Sequence, residues 1–125
     1  ATGKSIIKET IFENRMNHVE LLNKMGASIK LQNNIATVHG VKKLSGRNLK
    51  GSDLRATAAI VIAALTADKT SLIEGLDHLD RGYEAFECKL KKLGANINRD
   101  LTENLSNIST EDDYFTTNVQ NFYAA

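Results

Sequence analysis

The period of apolar and polar positions changes several times along the chain, and each change predicts an element. Ser5-Ile-Ile-Lys-Glu-Thr-Ile-Phe12 is a β-branched and aromatic run between Gly3 and Asn14, which predicts a strand. A helix is predicted next, with Asn17 as cap, Glu20 completing a capping pair, Val19, Leu22 and Met25 near one face, and Gly26 as the left-handed residue that ends it. Ala27 to Leu31 and Ile35 to His39 predict two strands joined by a turn at Asn33-Asn34.

A short strand-like piece is expected within Val41 to Leu49, then a turn at Gly51-Ser52-Asp53. The run from Leu54 to Ala67 is too long for one strand and rich in Ala. It predicts a helix, and being apolar on nearly every side it should be buried all round. A strand from Thr70 to Leu76, a loop through His78-Leu-Asp-Arg-Gly82, a helix carrying Tyr83, Phe86, Leu90 and Leu93 and closed by Gly94, and a strand from Ala95 follow.

The pattern repeats. Lys24-Met-Gly-Ala-Ser-Ile29 returns as Lys92-Leu-Gly-Ala-Asn-Ile97, and Lys4-Ser-Ile-Ile-Lys-Glu9 returns as Lys69-Thr-Ser-Leu-Ile-Glu74. Two copies of a strand, loop, helix, strand unit point to internal duplication and are too few for a solenoid. The chain therefore divides into residues 1–100, holding the duplicated units, and a tail, 101–125, rich in Asn, Thr and Ser with an acidic stretch Glu111-Asp-Asp113. The pattern assigns the tail no structure: it is read as disordered or as covering a partner.

Composition narrows the function classes. A length of 125 residues allows one domain, and 16 Lys plus Arg against 15 Asp plus Glu leave a net charge of +1, too balanced for a nucleic-acid coat or a polybasic membrane binder. No apolar run approaches the roughly 20 residues of a bilayer span. Cys88 is a lone cysteine and His18, His39 and His78 are scattered, so neither a metal site nor a cofactor is expected; Cys88, mid-helix without an activating partner, reads as a passive thiol. The N-terminus, Ala1-Thr-Gly-Lys, has no initiator Met and no signal-peptide core, which reads as a chain entered partway.

The candidate chemistry lies in three arginines. Arg15 follows the first predicted strand, Arg55 stands in the first turn of the apolar helix, and Arg81 lies in the loop before the third helix, so all three fall at strand-to-helix junctions. Such junctions form the ligand edge of open α/β sheets, where helix N-termini favour anions. A cation in a first helical turn opposes the macrodipole by about 0.3–1 kcal/mol, which an anionic ligand would offset. Arginine suits fork-shaped recognition of carboxylate or phosphate, while for each one singly a solvated ion pair, with Asp53 or Asp80 nearby, is the ordinary reading. Asp53 reads first as a helix cap rather than a base.

The motifs Glu9-Thr-Ile-Phe-Glu-Asn-Arg-Met16, His18-Val19, Lys24-Met-Gly-Ala27, His39-Gly-Val41, Leu44-Ser-Gly46, Asp53-Leu-Arg-Ala56, His78-Leu-Asp-Arg-Gly-Tyr-Glu84 and Leu93-Gly-Ala-Asn-Ile97 resemble, in order, the C-terminal part of the UDP-N-acetylglucosamine 1-carboxyvinyltransferases, of the enolpyruvyl transferase family. The resemblance covers about Gly3 to Arg99. It implies an α/β (α+β) fold of repeated βαβαββ-type units, the inside-out α/β barrel of that family, here as a partial domain. It also implies transfer of the enolpyruvyl group of phosphoenolpyruvate to the 3-hydroxyl of UDP-N-acetylglucosamine, in cytoplasmic peptidoglycan precursor synthesis.

Carried over by motif, Arg15, Arg55 and Arg81 are expected to hold the carboxylate and phosphate of phosphoenolpyruvate, and Ile11 to contact the UDP-sugar; Asp53, heading Asp-Leu-Arg, is included among the substrate-binding residues. The family's loop cysteine and base fall upstream of this chain, so no catalytic residue is expected within it, and alone it is expected not to turn over. The expected partners are the two substrates and the missing N-terminal part of the enzyme, with self-association as a further expectation because an incomplete domain exposes core. The alternative is a stand-alone, non-catalytic anion-binding or regulatory module derived from that enzyme. A third reading is an inert domain with solvated arginines.

Overall fold

The computed structural model describes residues 2–10, 16–101 and 113–117. In chain order its elements are β1 (Lys4–Lys8), α1 (His18–Lys24), β2 (Ser28–Gln32), β3 (Ile35–His39), β4 (Asn48–Lys50), α2 (Leu54–Leu65), β5 (Ser71–Glu74), α3 (Leu76–Gly82), α4 (Phe86–Lys92), β6 (Ile97–Leu101) and β7 (Asp113–Thr117). The fold is mixed α/β with two sheets.

The first sheet has the order β1-β3-β2, with β3 antiparallel to both neighbours. The predicted hairpin forms: β2 and β3 turn at Asn33, whose φ of 56° is left-handed backbone that asparagine tolerates. Gly26, at φ 96°, ends α1 as the spacing predicted. Asn17 heads α1 without a side-chain cap bond of its own, because its amide is turned toward α2.

The second sheet has the order β4-β5-β7-β6. β4 and β5 are parallel, while β7 runs antiparallel to both β5 and β6. The core lies on this sheet: Leu49, Ile73, Ile97 and Phe115 from its strands meet Ile60, Val61 and Ala64 of α2, Leu76 and Leu79 of α3, and Met25 from the end of α1.

Four expectations are corrected. Strand structure between Val41 and Leu49 shrinks to the three residues of β4, since the backbone before it bonds elsewhere: Ser45 N–H to Met25 O at 2.7 Å and Asp68 N–H to Leu44 O at 2.9 Å. The apolar helix is not buried all round: Ala56, Ile60, Val61 and Ala64 are enclosed, whereas Ile62 on the other side is 48% exposed, because the helix is covered only where α1, α3 and the sheet meet it.

The third concerns His78 to Gly82, which form α3 rather than a loop. Leu76 and Leu79, one turn apart, are both buried, and Gly75 at φ 82° reverses the chain after β5 so close to Gly51 that a Cβ would fall 2.5 Å from its carbonyl oxygen. The fourth concerns the tail, where Asp113–Thr117 supplies a central strand with Phe115 and Thr117 fully buried.

The duplication read in the letters has a structural counterpart. In one sheet β3 lies antiparallel between β1 and β2; in the other β7 lies antiparallel between β5 and β6. Gly26 and Gly94, at φ 96° and 98°, close the corresponding helices. The tail strand is therefore the return strand of the second copy.

Candidate anion site at the start of α2

The carboxyl end of β4 leads through Gly51 and Ser52 into α2, and Asp53 caps that helix. Its Oδ1 accepts the Ala56 N–H at 2.8 Å, and its backbone carbonyl accepts the Thr57 hydroxyl at 2.6 Å. Oδ2 accepts the Asn17 side-chain amide at 3.0 Å, which ties the entry of α1 to the start of α2. The Ala56 N–H, then the Asn17 amide, hold the Asp53 carboxyl below its ordinary value against a smaller opposing effect of burial; the Arg55 N–H and the charge of His78 act in the same downward direction. With both oxygens already accepting, Asp53 builds the site and is poorly placed as a proton acceptor.

Arg55, the second residue of α2, is exposed. Arg81 is exposed too, but sits in the last turn of α3, where the helix dipole favours a cation. The single junction slot expected for the arginines is thus not what these two occupy. They still stand on touching elements: a Cβ on Gly82 would fall 2.5 Å from Leu54 Cδ2, so the end of α3 packs directly on the start of α2. Among the described residues neither arginine forms an ion pair. Ile11 and Arg15 lie outside the described residues.

Two cavities flank this point. One of about 620 Å³ opens between α1 and β2, with Val19, Ile29 and Leu31 apolar and Asn17, Glu20 and Ser52 polar along its wall. The other, of about 420 Å³, lies past the carboxyl ends of β4 and β5 and mixes Lys50 and His78 with Glu74, Asp77, Asp80 and Asp113. Among the described residues no group of His, Cys, Asp and Glu is arranged to hold a metal, and no helix is long and apolar enough to cross a membrane. Cys88 is exposed on α4.

Sequence reasoning missed Arg99. Its Nη1 donates to Asp113 Oδ2 at 2.9 Å and to Asp80 Oδ2 at 3.1 Å, its Nη2 also meets Asp80, and its guanidinium lies 5.2 Å from the centre of the Phe115 ring. Nη2 donates to Glu87 Oε2 at 3.4 Å, and Nε stands 3.3 Å from Glu87 Oε1 with its N–H not aimed at an acceptor, so that second contact is an ion pair only. The Asp80 bond is the main cause that raises the Arg99 guanidinium above its ordinary value. Asp80, a neighbour the sequence offered to Arg81, is thus taken by Arg99. Nothing in the spacing of 80, 87, 99 and 113 signals this cluster, because three elements and the return strand must assemble to form it.

The chain is similar to known proteins over most of its length. Residues 1–90 match the family described as EPSP synthase (3-phosphoshikimate 1-carboxyvinyltransferase). A UDP-N-acetylglucosamine 1-carboxyvinyltransferase of Prochlorococcus marinus subsp. pastoris is 62% identical over 109 residues, 87% of this chain and 24% of that protein. UDP-N-acetylglucosamine 1-carboxyvinyltransferase 2 of Clostridium acetobutylicum is 53% identical over 98 residues, 78% of this chain and 23% of that protein. The crystal structure of the enolpyruvyl transferase NikO from Streptomyces tendae superposes with a TM-score of 0.69 at 25% identity, covering 96% of this chain and 24% of that one. The chain spans about a quarter of the length of the curated relatives it matches. With the family match covering the first copy of the duplicated unit and the second as far as α4, and the fold shared with a solved enolpyruvyl transferase, the chain belongs to the EPSP synthase family of carboxyvinyl transferases.

Proposed function

We propose that this chain is one wall of a UDP-N-acetylglucosamine 1-carboxyvinyltransferase, acting in cytoplasmic peptidoglycan precursor synthesis with the remainder of the enzyme. Its part is to hold phosphoenolpyruvate. Arg55 and Arg81 receive the carboxylate and phosphate together with Arg15, Ile11 lies against the UDP-sugar, and Asp53 fixes the start of α2 that carries Arg55. The supporting observation is that two exposed arginines without ion-pair partners among the described residues stand on elements touching at Leu54 and Gly82. Addition of the sugar hydroxyl to phosphoenolpyruvate gives a tetrahedral species that keeps both anionic groups, and fixed guanidinium groups stabilise it without reorganising. Proton transfer falls to residues of the remainder, so this chain alone holds substrate and does not turn it over.

The test is an NMR titration of the labelled chain with phosphoenolpyruvate, following the guanidinium signals of Arg15, Arg55 and Arg81. One shared saturable curve supports the reading; dispersed amides with silent arginines overturn it. The second reading, a stand-alone anion-binding module, draws on the return strand β7, which lies beyond the family match yet completes the second sheet. Phosphate release on mixing with the remaining part of a relative's enzyme separates the two.

A further inference from the structure

The two copies of the repeated unit close their sheets differently. In the first, β3 follows β2 through the tight turn Asn33-Asn34 and cannot leave without breaking that hairpin. In the second, β6 ends at Leu101 and β7 starts at Asp113, so the return strand hangs from a much longer connection. Because β5 and β6 each pair with β7 and not with one another, its departure would leave two facing rows of unpaired N–H and C=O groups about 10 Å apart.

We infer that the space between β5 and β6 is a strand-accepting slot, filled from this chain's own tail by residues 113–117 and latched by Arg99, and that it takes the same strand when supplied as a separate peptide. Backbone pairing on both sides provides affinity, as in recognition by added strands. Selectivity comes from three features: a buried aromatic at Phe115 opposite Arg99, a small buried hydroxyl residue at Thr117, and an acid at Asp113 within 2.9 Å of the Arg99 guanidinium. The occupant is thus an extended segment of the pattern acid, any, aromatic, any, threonine, antiparallel to both walls. The slot uses none of the arginines proposed to bind anion and does not depend on that reading.

The experiment places a specific protease site in the full chain between residues 101 and 113, cuts the folded protein, and titrates it with a fluorescein-labelled peptide of residues 111–119. The result expected is one-to-one exchange of the peptide for the cut tail, weakened about fivefold by Asp113→Asn and about a hundredfold or more by Phe115→Ala in the peptide. A cut chain that keeps its tail and never takes up the peptide overturns the inference. So does one that loses the tail and melts unchanged. If cutting unfolds the protein, hydrogen exchange on the uncut chain decides: amides of Phe115 and Thr117 opening ahead of those of Ile60 and Val61 in α2 support the slot, and opening together with them overturns it.

Discussion

The two sheets are built from similar strands and end in different environments. β1 reads Lys-Ser-Ile-Ile-Lys and is exposed at every position, with Ile6 and Ile7 at 65% and 51%; β5 reads Ser-Leu-Ile-Glu and buries Ile73 completely. Their β-branched content does not separate them. The second sheet has α2 and α3 over it and Phe115 inserted into it, whereas the first has α1 over one end and leaves Ile7 and Leu31, across Ala36 on one face, largely open. Strand propensity sets where the backbone extends; what lies on the face sets whether that extension contributes stability.

The largest expected effect strikes the buried sheet. Phe115→Ala should lower unfolding free energy by about 3–5 kcal/mol in chemical denaturation, while Ile6→Thr on β1 should change it by no more than about 0.5 kcal/mol. Equal losses would erase the distinction between the sheets. Next comes Arg99→Met, with an expected loss of about 2 kcal/mol that shrinks in high salt, since the guanidinium and its three carboxylates are only partly covered. A loss independent of salt would assign the contribution to packing on Phe115 instead.

Asp53→Ala should cost about 1 kcal/mol through the lost cap. Because the folded carboxyl lies below its ordinary value of 3.8, its contribution is complete above that value and disappears as pH falls through the lower, folded one. Asp53→Asn should therefore flatten the acid limb of the stability profile below about pH 3.8 and leave neutral pH behaviour close to that of Asp53→Ala corrected for the retained cap. The smallest effect sharpens the comparison from the open side. Ile7→Lys should leave stability within about 0.5 kcal/mol and reduce any concentration-dependent association seen by analytical ultracentrifugation.

Local rules made much of this legible. The Asn33 turn, the glycines that end α1 and α4, the cap at Asp53 and the length of α2 depend on neighbours in sequence, and each was readable from them. The duplicated Lys-x-Gly-Ala segments also showed that two units share one plan. Of the proposed anion site, the letters gave the arginines and the cap. They did not give α3, since the two leucines that hold it are buried only once α2 is in place, nor the packing of Gly82 on Leu54.

The sequence by itself determined which segments extend, which coil, where they reverse and that the unit occurs twice, because those properties follow from dihedral preference and periodicity within a few residues. Only the tertiary structure decided which faces are covered, that a polar tail returns to the middle of a sheet, and that Arg99 joins Asp80, Glu87 and Asp113 around Phe115. Burial and ion pairing are relations between distant segments, and a linear pattern carries no measure of which of them will meet.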